Sequence, residues 1–195
     1  MKEEKKESKD WLSTFLNYML VYASVGLLGI AIPLVCQKGD RLTNANIKLI
    51  DEMTKEIADR GDSVSEYNKF IYQQLDRAIN TDSEKVFIES FEKMLPYSQV
   101  RSKHLDTILT IMNSYEEKII ADSDDVLITH FRGVRDHCIL QLKQGYQFDS
   151  IKKYLYDPMA KPSQEKHWAL LLQIDSAIGA TNKKVSELEK TLSNK

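Results

Sequence analysis

From Trp11 to Val35 the chain reads WLSTFLNYMLVYASVGLLGIAIPLV, with no charged side chain. No other feature limits the fold as strongly. In hydrocarbon every backbone polar group needs an internal partner, so the run has to be helical there. About 20 mostly apolar residues suffice for a spanning helix, and this run exceeds that with room for tilt. The expected organisation is a charged tail over 1–10, a transmembrane anchor over 11–36 and a single domain over 40–195.

The run is longer than a signal-peptide apolar region, and no A-x-A-like site follows it. Pro33-Leu34-Val35 before Cys36 also lacks the small residues of a lipoprotein cleavage site. An uncleaved, single-pass anchor is therefore expected. Lys2, Lys5, Lys6 and Lys9 precede it, and only Lys38 and Arg41 follow closely. The positive-inside rule then places the N-terminus in the cytoplasm and the C-terminal domain outside, or in a periplasm.

Within the span, Tyr18, Tyr22, Gly26, Gly29 and Pro33 fall near one helical face. Small residues let helices approach closely, and polar groups in lipid seek partners. Such a face suits packing against another membrane protein or a second copy. Ordinary span composition, in which glycine is common, is the plainer explanation.

Beyond Gly39-Asp40 the sequence predicts an all-α, antiparallel helical bundle. Seven glycines and four prolines in 195 residues are too few for a strand-rich sandwich. The first helix is expected over Leu42 to Arg60, with Ile47, Ile50, Met53 and Ile57 inward and Gly61 as its stop. Ser63 and Glu66 form a capping-box pattern for a second helix carrying Val64, Tyr67, Ile71, Leu75 and Ala78. Thr81 and Glu84 form another, opening a short helix with Phe87, Phe91 and Met94 that closes near Pro96.

Leu105, Ile108, Met112, Tyr115 and Ile119 then mark the most apolar helix. Asp122 or Ser123 is expected to cap the next, with Leu127, Phe131, Val134, Cys138 and Leu142 inward. Residues 145–162 read as a connection with a short helix from Phe148 to Tyr156. The last helix, about 163–193, carries a heptad seam of Leu171, Ile174, Ile178, Val185, Leu188 and Leu192, with Thr181 at one seam position. That seam serves either the chain's own core or a partner helix.

Signs of catalysis are missing. No Walker or dinucleotide glycine pattern occurs, and no G-x-S-x-G. His130 and His137 share a helix with Cys138, but seven residues put the two histidines about 10 Å apart along its axis, too far for one metal ion. No Glu-x-x-His pair suggests a di-iron site. Glu116-Glu117 and Asp124-Asp125 suit helix ends or exposed faces, the latter complementing the helix dipole. Arg60-Gly61-Asp62 spells an adhesion tripeptide, but a helix stop and restart accounts for it. Two cysteines exclude a disulfide framework. With 27 basic and 29 acidic residues well mixed, nothing points to nucleic acid.

Tyr146, Phe148, Tyr154, Tyr156 and Trp168 cluster around the last connection among Lys152, Lys153, Lys161 and Lys166. Loop and core packing explains them; a groove for a partner or small ligand is the alternative.

No cofactor and no metal is expected. The functional expectation is a non-catalytic structural or assembly subunit of a membrane protein complex. Its partners would be the bilayer and other membrane proteins, or copies of itself. In layout the chain resembles the four-helix sensor domains of bacterial receptors, although those normally carry a second span and a cytoplasmic output domain. That resemblance implies the alternative, a ligand-sensing receptor subunit with a pocket between helices.

Overall fold

The computed structural model describes residues 44–121 and 125–193, with side chains from 48 to 191. These residues form four long helices: α1 (Asn44–Ile79), α2 (Glu84–Ile120), α3 (Asp125–Lys152) and α4 (Lys161–Ser193). A 3-10 turn, Pro158–Ala160, leads into α4. No strand occurs among the described residues. The expected anchor over 11–36, with Tyr18, Tyr22, Gly26, Gly29 and Pro33, lies outside them, as do the 1–10 tail and the proposed caps Asp122 and Ser123. Among the described residues no helix is long and apolar enough to cross a membrane.

Consecutive helices pack on one another, α1 on α2, α2 on α3 and α3 on α4. Each pair is antiparallel, because numbers fall on one helix as they rise on the next. Tyr67 meets Tyr97 while Glu56 meets Tyr115. Arg101 meets Gln144 while Glu116 meets Arg135. Gln147 meets His167 while Gly133 meets Val185.

Three expected breaks are not breaks. Gly61 does not end a helix; α1 runs through it, and the Ser63 hydroxyl donates to the Asp59 carbonyl rather than capping a new helix. The buried stripe Ile50, Met53, Ile57, Val64, Asn68, Ile71, Leu75 continues across the site. Packing along that stripe outweighs the roughly 1 kcal/mol that glycine costs a helix. Pro96 likewise lies inside α2. Helix propensity opposes it there, but Phe91, Met94, Ser98, Arg101 and Leu105 are buried in unbroken three- and four-residue steps. A side-chain cap does open α2, at a different residue from the one expected: the Ser83 side chain accepts from the Val86 amide. It is Ser83, not Thr81, that caps.

Gly145 is the third. Rather than opening a connection, it sits within α3, which continues until Phe148 and Ile151 are fully buried. A Cβ built on Gly145 would lie 2.6 Å from the Ser102 Oγ of α2. Glycine is there so that two helices can approach closely.

The apolar core falls into two clusters. One, at the end where α1 begins, is centred on Ile50, Met53, Ile57, Leu105, Ile108, Met112, Phe131 and Val134. The other, at the opposite end, is centred on Ile71, Leu75, Phe91, Met94, Phe148, Leu171 and Ile178. Between them the inward stripes of the first three helices turn polar, and α4 adds one polar residue from between Leu171 and Ile178.

A buried polar layer as the candidate functional site

At that level α1 contributes Asn68, α2 Arg101, α3 Gln141 and Gln144, and α4 Asp175, all at most 4% exposed. Each occupies a stripe position where the helix pattern calls for an apolar side chain. Arg101, completely buried, is the hub. Its Nη1 donates to Asn68 Oδ1 at 2.9 Å and to Gln144 Oε1 at 3.0 Å. Its Nη2 donates to the Gln141 backbone carbonyl at 3.2 Å.

Two branches leave the hub. In one, Asn68 Nδ2 donates to Gln141 Oε1 at 3.3 Å, and Gln141 Nε2 contacts His137 Nε2 at 2.5 Å. In the other, Gln144 Nε2 donates to Asp175 Oδ1 at 3.1 Å and, more weakly, to the Tyr72 hydroxyl at 3.5 Å. The Tyr72 hydroxyl also hydrogen-bonds to Asp175. Arg101 and Asp175 are therefore a buried charge pair linked through an amide instead of a direct ion pair.

Burial dominates the electrostatics. It lowers the Arg101 guanidinium to about 10, still charged at neutral pH. Burial raises the Asp175 carboxyl to about 6, against the bonds from Tyr72 and Gln144 and the charge of Arg101, which favour its ionised form. His137 is pushed down to about 4, by burial first and by Arg101 second. His130, buried two turns away on the same helix, falls to about 4 from burial alone. The Cys138 thiol rises to about 12, which makes it an inert core group. Among the described residues, Arg101 Nε, His137 Nδ1 and both ring nitrogens of His130 lack hydrogen-bond partners.

Chemically, this arrangement can hold four helices in one register. A buried amide and charge set is satisfied only when all its members align, and misalignment strands a guanidinium in the core. It does not position a nucleophile beside a base at a solvent-facing cleft. Among the described residues no three His, Cys, Asp or Glu side chains come together as a metal site.

The heptad residues of the last helix turn into the chain's own bundle. Leu171, Ile178 and Val185 are at most 1% exposed, so they keep no surface for a partner helix. Ile174 and Leu188 are half-buried, and the Leu192 side chain lies beyond the described ones. The aromatic cluster disperses. Phe148 enters the core, and Trp168 packs edge-on to Phe87 at 5.2 Å. Tyr154 stacks on His167, and only Tyr146 and Tyr156 are broadly exposed. Tyr156 hydrogen-bonds to Glu92. Glu116 stands near the C-terminal end of α2, where Arg135 donates to both its carboxylate oxygens at 2.6 Å.

Sequence reasoning missed the layer because Asn68, Arg101, Gln144 and Asp175 interrupt the apolar stripes and belong to no motif. The available signal was register: each sits three or four residues from core residues on both sides. Comparison with protein-family models, with curated proteins and with solved structures returned no match.

Proposed function

We propose that this chain is a non-catalytic assembly subunit, held in a membrane by residues 11–36 and presenting a rigid helical bundle to other membrane proteins. The observation that carries this reading is the closed polar layer. The most polar residues at the heart of the bundle are committed to one another and sealed from solvent, which is the economy of a register-fixing scaffold. The apolar run from Trp11 to Val35 supplies the tether, with a face of Tyr18, Tyr22, Gly26, Gly29 and Pro33 suited to helix packing. In this reading the bundle stands outside the membrane and uses no cofactor.

The test is affinity purification of the tagged full-length protein in mild detergent, beside a version that begins at Gly39. Stoichiometric co-purification of membrane proteins with the full-length chain, reduced or lost in the shorter one, supports the proposal. A solitary, monodisperse species in both overturns it and turns attention to small-ligand binding by the bundle.

A further inference from the structure

The two branches of the polar layer have a direction, and that direction is set at Arg101. A guanidinium can only donate. The Asn68 atom facing it at 2.9 Å must therefore be the carbonyl oxygen, which leaves the Asn68 NH2 to face Gln141. Gln141 must in turn offer its oxygen to Asn68 and its NH2 to His137. The chain ends with His137 Nε2 as acceptor, so the single proton of the neutral ring sits on Nδ1.

From this we infer that the layer is an acid-operated lock on helix register, triggered by proton uptake at His137 Nε2. The added proton converts the terminal acceptor into a donor aimed at the Gln141 NH2. Turning the Gln141 amide around relieves that clash but brings its NH2 against the NH2 of Asn68. Turning Asn68 then sets NH2 against Arg101, which has no acceptor to offer. The conflict cannot be absorbed locally; it is relieved only when α3 separates from α1 and α2 at this level.

The titratable and charged groups facing the layer are Tyr72 from α1, Arg101 from α2 and Asp175 from α4, with His137 on α3 itself. Asp175 lies on the other branch, where it accepts from Gln144 Nε2. The positive Arg101 opposes a second positive charge on His137. This inference does not depend on the assembly role or on the anchor.

The experiment uses the full-length protein in mild detergent with isotope-labelled histidine, followed by NMR from pH 7.5 to 4. His137 is assigned by its disappearance in His137→Gln, and hydrogen exchange is measured in parallel. The expected wild-type result is the Nδ1–H tautomer at pH 7.5. Protonation of His137 should coincide with loss of amide protection around residues 64–72, 98–105 and 137–148 together. In Gln141→Glu a pure acceptor faces the ring, so the His137 midpoint rises by more than one pH unit. In His137→Gln the acid midpoint of protection falls by half a unit or more.

An Nε2–H tautomer in the wild-type protein overturns the proposal. So does an unmoved His137 midpoint in Gln141→Glu, or an unmoved acid midpoint in His137→Gln. If Gln141→Glu protein does not fold, the wild-type tautomer and the His137→Gln midpoint decide the matter.

Discussion

At the scale of single residues, Arg101 dominates. Its removal leaves the Asn68, Gln141 and Gln144 acceptors without their donor in a closed core. Arg101→Ala is expected to cost about 3–5 kcal/mol, read from urea unfolding midpoints. Replacing Asn68, Tyr72, Arg101, Gln141, Gln144 and Asp175 together with apolar residues of similar volume should cost far less than Arg101→Ala alone, because no charge is then stranded. The pH dependence has opposing parts. His130 and His137 have folded values near 4, below the ordinary 6.5, so the unfolded chain takes up protons first. Their contribution is complete above pH 6.5 and is lost as pH falls toward 4, by roughly 3 kcal/mol each. Asp175 has a folded value near 6, above the ordinary 3.8, so there the folded chain takes up the proton first. Its contribution is complete below 3.8 and is lost as pH rises through 6, by a similar amount. Asp175→Asn should therefore raise stability at pH 7 by about 1–3 kcal/mol and steepen the loss between pH 6.5 and 4. Urea midpoints measured across that range check both signs.

At the scale of elements, the two interior glycines that were expected to break helices behave oppositely. Nothing lies within 4 Å of a Cβ built on Gly61. Gly61→Ala should stabilise α1 by about 0.5–1 kcal/mol, measured by thermal or urea unfolding, because it removes backbone freedom without a clash. At Gly145 the new methyl meets Ser102 Oγ, which itself donates to the Ser98 carbonyl at 2.9 Å. Gly145→Ala should lose that hydrogen bond and offset its helix gain. In a Ser102→Ala background the same change should stabilise, so a double-mutant cycle of unfolding free energies should show coupling of about 0.5–1.5 kcal/mol. The stripes of Leu105 to Ile119 and Leu127 to Cys138 were legible because their apolar period is unbroken. The junctions at Gly61, Pro96 and Gly145 were not, since local propensity pointed one way and packing the other.

At the scale of the whole molecule, two apolar clusters are joined through one polar layer to which all four helices contribute. The linkage should make unfolding a single event. In a Trp11→Phe protein, Trp168 fluorescence reports the cluster around Phe87 and Phe91, while far-UV circular dichroism reports all helices. The two transitions should coincide in urea. Separation of the curves by more than about 0.5 M would mean that the clusters unfold independently, against the linkage argued from the layer.

The sequence by itself determined that the described residues are helical and that their helices turn apolar stripes inward. Those properties depend on composition and on a period of 3.6 residues, which a single chain displays locally. Tertiary structure decided where helices end and what the polar residues on the stripes are for. A buried arginine becomes tolerable only when Asn68, Gln141 and Gln144, 33 to 43 residues away, arrive with their oxygens facing it. That condition is a property of three helices at once, so no local pattern can express it.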